Sequence, residues 1–427
     1  MNQHLSLRSG NPALSASTFT GFGSMEQAES MTIQGTVNKT ALSLLIVMVS
    51  ASYTWGMPIV DGRFGGLIAL GAIGGLITAL VTIFKKQWAM YTVPAYAVLQ
   101  GLMLGGVSRF FEASYHGIVN QAVFLTFGTL GALLLAYKSG LIKPTENFKL
   151  GIFAATGGIA MLYLISFVMS FFGSGIGFIH SNSTFGILFS FGVVIIAALN
   201  LVLDFDFIEE GSEIGAPKYM EWYATFGLLV TLIWLYLEIL RLLAKLQSRR
   251  NREKILEELS GGQKQSTNSH YVNGRWENSY INSHLTPSVS GLLNLAASLS
   301  GKEHRENFMI PSQFLGYATN EYWFNIAGPG ESTGRHNHKD EAVISGVFYL
   351  KVPEGSGDLR FHLGDEGEVT VPAKEGRMVL FPSALDHSVG VNSSGEERIS
   401  LAFNCYSSEL PQYDEQDESY GVHKYFS

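Results

Sequence analysis

The sequence predicts a two-domain protein: an all-α polytopic membrane bundle of six or seven helices, followed by an all-β jelly roll, or double-stranded β-helix, with a short helical support. Hydropathy and charge divide the 427 residues into two parts. Residues 1–250 hold long apolar runs and carry 14 Lys and Arg against 12 Asp and Glu, whereas residues 251–427 hold short β-type segments and carry 14 against 24. A chain of this length is expected to form two or more domains.

Long apolar runs recur through the first half, and most approach the roughly 20 residues that a helix needs to cross about 30 Å of hydrocarbon. A soluble helical core would interrupt them with a charged stripe at the helical period. Inside the second run, Gly71, Gly74 and Gly75 suit close helix packing in lipid. The seven runs are 41–57, 65–84, 90–111, 123–137, 150–172, 184–203 and 226–243. The first half therefore predicts a multi-pass protein of a lipid bilayer.

Basic residues predict the orientation of the bundle but give a conflicting answer at its end. Those before the first run and after the second, fourth and sixth runs place the N-terminus in the cytoplasm by the positive-inside rule. They are Lys39, Lys85, Lys86, Lys138, Lys143, Lys149 and Lys218. The seventh run ends in an equally basic stretch, although seven crossings would place that stretch outside. We therefore expect an even number of crossings, with the short fourth or the polar-edged seventh run re-entrant or interfacial.

Three carboxylates in the apolar half are candidates for an ion or proton site. Asp204 and Asp206 end the sixth run, and Glu238 lies inside the seventh. Carboxylates at membrane depth are costly and are usually retained to bind a cation or relay a proton. Purely structural roles are the alternative for these acids. Glu238 could pair with Arg241, which lies at i,i+3 spacing, and Asp206 could belong to a solvated loop.

Residues 5–247 resemble the Bax inhibitor family, particularly its bacterial branch, most densely in LDFDFIEEG and PKYMEWYATFGLLVTLIWLYLEILRLL. The resemblance implies a helical membrane protein with a pH-sensitive calcium leak, gated by acidic residues on its last two helices. By position these residues are Asp204 and Glu238. Asp206 replaces a Gln of the family, and the second acid is Glu instead of the more usual Asp. Two nearby carboxyls repel when both are ionised, so proton uptake can couple to a conformational change.

We expect five segments along the chain. They are a polar N-terminal tail (1–38), a Bax-inhibitor-like transmembrane domain (39–247), a flexible polar linker (248–283), a jelly-roll domain (284–408) and an acidic tail (409–427).

Composition also argues against several classes of protein. The N-terminal tail lacks the pattern of a cleavable signal peptide. The acidic second half argues against nucleic-acid binding, which needs a basic surface. The lone Cys405 excludes an intramolecular disulfide and fits a reducing compartment.

Short β-branched or aromatic segments bounded by turn residues follow Glu321. They are YWFNIAG, AVISGVFYLKV, GDLRFHL, EVTV, RMVLFPS, DHSVGV and RISLAFN. Their number and spacing fit a double-sheet jelly roll, a fold that commonly opens a site at one end. Residues 285–299 predict a short supporting helix.

A metal site is predicted from three residues of this half. His338 and Asp340 are separated by one residue, so in an extended strand both side chains point to the same face. With the distal His387 they form the two-His, one-carboxylate triad that binds ferrous iron and leaves three positions open. Two of these positions would take the chelating oxygens of a 2-oxo acid, and the third would take dioxygen.

A carboxylate anchor for the 2-oxo acid is predicted on the last strand. Arg398 lies eleven residues after His387, and Ser400 shares its face two residues on. A guanidinium fork with an adjacent hydroxyl suits a buried carboxylate, which it holds by charge-assisted hydrogen bonds. Tyr349 could add a phenol donor.

Residues 300–406 resemble the 2-oxoglutarate- and iron(II)-dependent oxygenase superfamily, and most closely a small bacterial and phage group. That group is marked by H-x-H, SGVFYLKVP, SGDLRF, LFPSALDHSV and ERISLAFN. The resemblance implies Fe(II), O₂ and oxidative decarboxylation of 2-oxoglutarate to succinate, coupled to hydrogen abstraction from a C–H bond. Because H-x-H is frequent in the group, His336 is an alternative first ligand, with His338 or Asp340 completing the set.

A cupin is the alternative class for this half. Gly330 precedes His336 and His338 at nearly the spacing of the first cupin motif, but Glu341 comes too early for the glutamate of that motif. The anchor at Arg398 would have no role in a cupin.

The sequence thus predicts a membrane-tethered Fe(II)/2-oxoglutarate-dependent dioxygenase of the bacterial inner membrane. Its catalytic domain is expected in the cytoplasm, where 2-oxoglutarate and ferrous iron are available. One alternative is an ion-leak or stress-regulating membrane protein with a sensor or cupin-like C-terminal domain. Another is an accidental fusion of two independent proteins. Candidate substrates range from small metabolites to protein side chains and lipids.

Overall fold

The computed structural model divides the chain into two compact units, residues 1–58 with 62–246 and residues 59–61 with 247–427. The structure describes residues 30–59, 61–172, 176, 179, 181–261, 266–272, 275–281, 287–304, 307–312, 315, 317, 320–339, 342–364 and 367–407. Asp340, Glu341, the predicted acidic tail and most of the predicted polar tail lie outside the described residues.

Seven long helices form the described part of the first unit. They are α1 (Ile33–Trp55), α2 (Phe64–Phe84), α3 (Ala89–Ser114), α4 (Ile118–Lys138), α5 (Glu146–Ser170), α6 (Thr184–Glu213) and α7 (Met220–Gly261). All seven are long and apolar enough to cross a membrane. Side chains of Thr32, Thr145 and Ser183 cap the first turns of α1, α5 and α6. The predicted polytopic all-α bundle is confirmed.

Two boundaries differ from the sequence prediction. The fourth helix has 21 residues, Ile118–Lys138, which span about 31 Å at about 1.5 Å per residue and are not short for a bilayer. The sixth helix continues to Glu213, so the interpretation of Asp206 as part of a solvated loop is wrong. The helix persists because Phe205, Phe207 and Ile208 are buried around that acid.

Glycines allow α1 and α2 to approach α3 closely. A Cβ atom on Gly71 would lie 2.4 Å from the carbonyl oxygen of Leu99, and one on Gly105 would lie 2.0 Å from that of Ala51. Neither helix could keep this separation with a larger residue there. The close packing predicted at Gly71 is therefore present.

The last helix, α7, runs through the bundle from one end to the other. Near its start, Glu221 accepts hydrogen bonds of 2.9 Å from the backbone and hydroxyl of Thr32, beside the start of α1. Further along, the Lys245 ammonium donates to the Ile179 carbonyl at 2.7 Å and to the Ser190 hydroxyl at 2.8 Å, beside the start of α6. α7 is thus an internal helix of the unit, while an even number of bilayer crossings stays a prediction.

The second unit contains one supporting helix and eleven described strands. They are β1 (Ser266–Val272), β2 (Arg275–Ile281), α8 (Ser290–His304), β3 (Phe308–Met309), β4 (Tyr322–Ala327), β5 (Thr333–His336), β6 (Ile344–Lys351), β7 (Leu359–His362), β8 (Glu368–Val371), β9 (Met378–Pro382), β10 (His387–Val389) and β11 (Arg398–Ser407). A core that includes Leu293 of α8, Phe324 and Leu401 joins the helix to the sheet. The predicted all-β barrel with helical support is confirmed.

Two antiparallel sheets build this barrel. The larger has the order β1-β2-β4-β11-β6-β9, with β3 also paired to β11, and the smaller has the order β5-β10-β7-β8. Alternate residues of each strand point between the sheets. The end of β5 and the start of β10, together with the inner faces of β4, β6 and β11, surround one cavity.

The predicted flexible linker, 248–283, is largely regular structure. α7 continues to Gly261, and β1 and β2 pair as a hairpin whose second strand extends the larger sheet along β4. The composition of this segment pointed to a linker, but Asn273-Gly274 between two β-prone stretches is a strong hairpin signal. That local signal outweighs the polar composition.

Candidate functional site

Three histidines meet in the cavity between the two sheets. His336 ends β5 and is the register partner of His387 at the start of β10. Their ring centroids lie 4.2 Å apart, and the ring of His338 lies 5.1 Å from the first and 5.5 Å from the second. One potential ligand nitrogen of each histidine lies within 4.8 Å of the other two, a separation at which the three side chains could hold one metal ion.

Backbone hydrogen bonds orient two of the imidazole rings. Nδ1 of His336 lies 2.8 Å from the carbonyl oxygen of Gly334, and Nδ1 of His387 lies 3.0 Å from that of Leu385. Because a carbonyl only accepts, each Nδ1 is the donor, and Nε2 keeps its lone pair for a metal. This arrangement is usual for metal-binding histidines.

The structure brings together His387, His338 and the alternative ligand His336. His338 follows the end of β5, and its backbone N–H donates to the Ser383 carbonyl at 2.8 Å. Asp340 lies outside the described residues, so its role as the carboxylate ligand stays a prediction. A set of three imidazoles suits iron, zinc, copper or nickel.

An acidic side chain next to the histidines braces their loop. Asp386 accepts hydrogen bonds from Asn337 at 2.6 Å and from two nitrogens of Arg335 at 2.9 and 2.7 Å. The hydrogen bonds from Asn337 and Arg335 hold the pKa of Asp386 below its usual value. Asp386 directly precedes His387 and is hydrogen-bonded to the residues on both sides of His336. It therefore links the two segments that carry these histidines. Sequence analysis missed this brace, since a single Asp before a His gives little signal.

The predicted carboxylate anchor lines the same cavity as the histidines. Arg398 is 2% exposed, and Nη1 of its guanidinium donates to the Ser356 carbonyl at 2.6 Å. Among the described residues, Arg398 makes all its hydrogen bonds through Nη1, which leaves Nη2 and Nε for a ligand. Burial lowers the pKa of Arg398 from its ordinary value. A carboxylate partner would offset the loss of solvation that causes this shift.

Ser400 lies between two polar residues on neighbouring strands. Its register partners are Asn325 of β4 and Tyr349 of β6, so the three side chains form one row across the sheet. The Tyr349 hydroxyl and the Asn325 amide oxygen are buried and have no hydrogen-bond partner among the described residues. Burial raises the pKa of Tyr349 to about 12, so its phenol stays a donor at neutral pH. Buried groups in this state fit a polar ligand that completes them.

Two asparagines of the cavity wall, Asn325 and Asn404, were missed by sequence analysis. Asn404 lies on β11 in phase with Arg398 and Ser400, and Asn325 lies on β4. The alternation of polar with apolar residues in YWFNIAG and RISLAFN could have identified both, because inward positions of a strand recur every second residue.

The predicted acids of the membrane unit are buried among other side chains. Glu238 is 2% exposed and accepts hydrogen bonds from Arg241 at 2.7 and 2.9 Å, and the Tyr163 hydroxyl donates to its carboxylate, 3.2 Å from either oxygen. Asp204 is fully buried on α6, and Asp206 lies 2.6 Å from the Lys149 ammonium. The predicted pairing of Glu238 with Arg241 is confirmed, and an ion or proton role for these acids stays a prediction.

These features define the class: a polytopic membrane protein that carries an oxygenase-type barrel. Residues 11–248, more than half of the sequence, match the family model of Bax inhibitor 1 like proteins. The chain belongs to that family. Residues 321–368 and 363–404 match a family model of 2OG-Fe(II) oxygenases. The chain thus joins a Bax-inhibitor-like membrane domain to a 2OG-Fe(II) oxygenase domain.

Comparison with solved structures finds further likenesses. One is a prolyl-4-hydroxylase from Pseudomonas putida, 22% identical over 38% of this chain and 84% of that chain, with a TM-score of 0.28. Another is a prolyl hydroxylase from Trichoplax adhaerens, 17% identical over 37% and 78%, with a TM-score of 0.28. A cupin domain from Bordetella pertussis is 23% identical over 20% and 80%, with a TM-score of 0.16. These scores are too low to assign an activity. No curated protein matches the chain.

Proposed function

We propose that the second unit is an Fe(II)- and 2-oxoglutarate-dependent dioxygenase, a hydroxylase, tethered to the membrane by the first unit. The observation that carries this proposal is the meeting of two residue sets in one cavity. His336, His338 and His387 offer imidazole nitrogens, and buried Arg398 and Tyr349 offer hydrogen-bond donors to a carboxylate. An acidic 2-oxo acid that also chelates a metal matches both sets at once.

Each set has a separate task in this proposal. The histidines would hold the metal through Nε2, and Fe(II), when bound, supplies the activation of dioxygen that accompanies decarboxylation of the 2-oxo acid to succinate. Arg398, Ser400 and Tyr349 bind and orient the distal carboxylate of 2-oxoglutarate. The surrounding sheet faces exclude bulk water, which strengthens these charge-assisted bonds.

The anchor favours an oxygenase over a cupin. A buried guanidinium without a ligand is unfavourable, because its loss of solvation is only partly offset by backbone carbonyls. In a cupin the histidines alone would suffice, whereas a 2-oxo acid gives Arg398 an anionic partner.

The test is succinate formation by full-length protein in detergent. We expect succinate only when Fe(II), 2-oxoglutarate and O₂ are all present, and its loss in Arg398→Ala. Arg360→Ala, which alters an exposed arginine of β7, is the matched control and keeps wild-type turnover. Unchanged turnover in Arg398→Ala would contradict the assignment, and absence of turnover together with absence of 2-oxo acid binding would favour a sensor or cupin-like domain.

We further propose that both domains act as one protein, with the oxygenase in the cytoplasm of a bacterial cell. α7 continues unbroken past residue 246, the last residue of the first unit, which supports a natural fusion. A single full-length band in native membranes is expected, and two separate products would support an accidental fusion. Green fluorescent protein fused after Ser427 should fluoresce and alkaline phosphatase there should be inactive. The reverse pattern would place the oxygenase outside the cytoplasm.

A pH-sensitive calcium or proton leak is the proposed role of the membrane unit. It is supported by two carboxylates, Asp204 and Glu238, that are almost completely buried in an apolar bundle. In liposomes that contain the full chain, we expect Glu238→Gln to change the pH dependence of calcium flux. Glu146→Gln is the control, since that side chain is 66% exposed. Equal flux and equal pH dependence in wild type and Glu238→Gln would argue against the leak.

A further inference from the structure

We propose that Asn404 is a positioning residue that donates its side-chain N–H groups to the metal-chelating end of the 2-oxo acid. This inference deepens the proposed function and rests on it. It concerns the end of the cavity away from Arg398, where sequence analysis placed the metal ligands but no residue that binds the 2-oxo acid.

The inner face of β11 presents three successive rows to the cavity. Ser400, Ala402 and Asn404 are in phase along the strand and all line the cavity. The middle residue is small, so it leaves room between the two polar rows. Its register partners are Trp323 and Val347, which make that middle row apolar. The cavity therefore has a polar row near its anchor, an apolar row in the middle and a second polar row beyond it.

The second polar row lies at the level of the histidines. Ser345, the register partner of Asn404, pairs in turn with Phe381 of β9. The ring of Phe381 packs against that of His387, with centroids 4.7 Å apart. Ser383, which is hydrogen-bonded to Ser345 at 2.9 Å, accepts the backbone N–H of His338. Two of the three candidate metal ligands are thus in contact with neighbours of Ser345, the register partner of Asn404.

Hydrogen bonds fix the direction of the Asn404 amide. The side chain belongs to a residue that is only 1% exposed, and its oxygen accepts a 2.9 Å hydrogen bond from the Ser345 hydroxyl. Because Ser345 uses its single proton on this bond, the Ser383 hydroxyl must be the donor in its bond to Ser345. The oxygen of Asn404 is therefore occupied. Its NH₂ group makes no described hydrogen bond and is available to an acceptor in the cavity.

The spacing of the two polar rows matches a 2-oxo acid of five carbons. Asn404 lies four positions after Ser400, which at roughly 3.3 Å per residue places their Cα atoms about 13 Å apart. A five-carbon dicarboxylate is about 5 Å long between its terminal carbons, and a hydrogen bond of about 2.9 Å at each end extends this to about 11 Å. The short side chains of Ser400 and Asn404 bridge the remaining distance. The chelating carboxylate would accept from Asn404, while the distal one occupies the anchor.

The experiment compares three ligands on full-length protein in detergent, loaded with Fe(II) without oxygen. 2-Oxoglutarate has both ends, 2-oxobutyrate has only the chelating end, and pentanoate has only the distal carboxylate on a five-carbon chain. Asn404→Asp keeps the shape and the bond from Ser345 but removes both N–H donors. Asn404→Ala is a second variant, and Asn294→Ala, on the exposed side of α8, is the matched control.

We expect Asn404→Asp and Asn404→Ala to lower the binding affinity for 2-oxoglutarate and 2-oxobutyrate by at least about tenfold, because this is the usual effect of losing one hydrogen bond to a charged group. Pentanoate binding should not change, and the charge-transfer absorption of the Fe(II)–2-oxo acid complex should shift. Arg398→Ala should show the opposite selectivity, since it weakens the binding of 2-oxoglutarate and pentanoate but spares that of 2-oxobutyrate. Asn294→Ala should behave as wild type.

The outcomes separate this inference from the proposed function. If both Asn404 variants bind 2-oxobutyrate as tightly as wild type with an unshifted absorption, the positioning role is overturned, while wild-type turnover keeps the oxygenase. If wild-type protein binds no 2-oxo acid, the proposed function itself fails. Equal weakening of pentanoate binding in the Asn404 variants would mean a general structural role and would also overturn the inference.

Discussion

Replacing Tyr349 by Phe should have opposite effects on stability and on co-substrate binding. The phenol oxygen is buried in the cavity and has no hydrogen-bond partner among the described residues. Leaving such a group unpaired costs about 1–3 kcal/mol, which Phe avoids at nearly the same volume. For a domain of this size, about 1 kcal/mol moves the melting temperature by roughly 2–4 °C. Ligand-free Tyr349→Phe should therefore melt a few degrees higher than wild type.

The same substitution should weaken the binding of 2-oxoglutarate. One hydrogen bond to a charged group contributes about 1.5–3 kcal/mol, which corresponds to a loss of roughly 10- to 150-fold in affinity. Because burial raises the pKa of Tyr349 to about 12, the loss should be the same from pH 6 to pH 9. The assays are thermal unfolding without ligand and anaerobic titration with 2-oxoglutarate at several pH values.

A tyrosine elsewhere in the barrel supplies the control. The Tyr406 hydroxyl donates to Glu321 at 2.9 Å, so Tyr406→Phe should lower the melting temperature and leave 2-oxoglutarate affinity unchanged. The reasoning fails if ligand-free Tyr349→Phe melts below wild type and binds 2-oxoglutarate equally well. In that case the hydroxyl is satisfied within the protein and does not face the co-substrate.

Three further predictions concern the metal, the thiol and the bundle. His338→Ala should lower Fe(II) affinity by about 10–100-fold or more in a competition titration. An unchanged affinity would exclude His338 as a metal ligand. Burial raises the pKa of the Cys405 thiol to about 12. The folded protein should therefore resist labelling by maleimide at pH 8 and react only after unfolding. Rapid labelling of the native protein would refute the burial of Cys405. Gly71→Val should destabilise the bundle in a detergent melt by about 1–3 kcal/mol, while Gly128→Val, which meets nothing within 4 Å, should be close to neutral. Equal melts of these two variants would contradict the close packing of α2 on α3.

Much of the architecture was predictable because hydropathy reports burial directly. Each of the seven apolar runs became a helix, and the seven β-type segments became strands. Helix ends were less predictable, since apolar length does not show where the backbone hydrogen bonds stop, as the extension of α6 to Glu213 illustrates. The hairpin within 266–281 was missed because the polar composition of this segment is typical of a linker and hides the Asn-Gly pair that lies between two β-prone stretches.

The candidate site was predictable in part. Residue types and spacing identified Arg398, Ser400 and Tyr349, and the structure places all three on one cavity. The choice between His336 and His338 was not determined by sequence, and the structure places both rings beside that of His387. Asparagines of the wall were missed, since Asn is common in turns and its position on a strand gives no chemical signal.

The two sheets contribute different halves of the candidate site. The four-stranded sheet and its adjoining loop carry the imidazoles, and the seven-stranded sheet carries the guanidinium, the phenol and the amides. The halves can therefore be lost independently in the course of evolution. A descendant that keeps His336 and His387 but loses Arg398 would retain a metal receptor without turnover, whereas one that keeps only Arg398 would retain an anion receptor. Degenerate copies of this barrel should accordingly fall into two recognisable kinds.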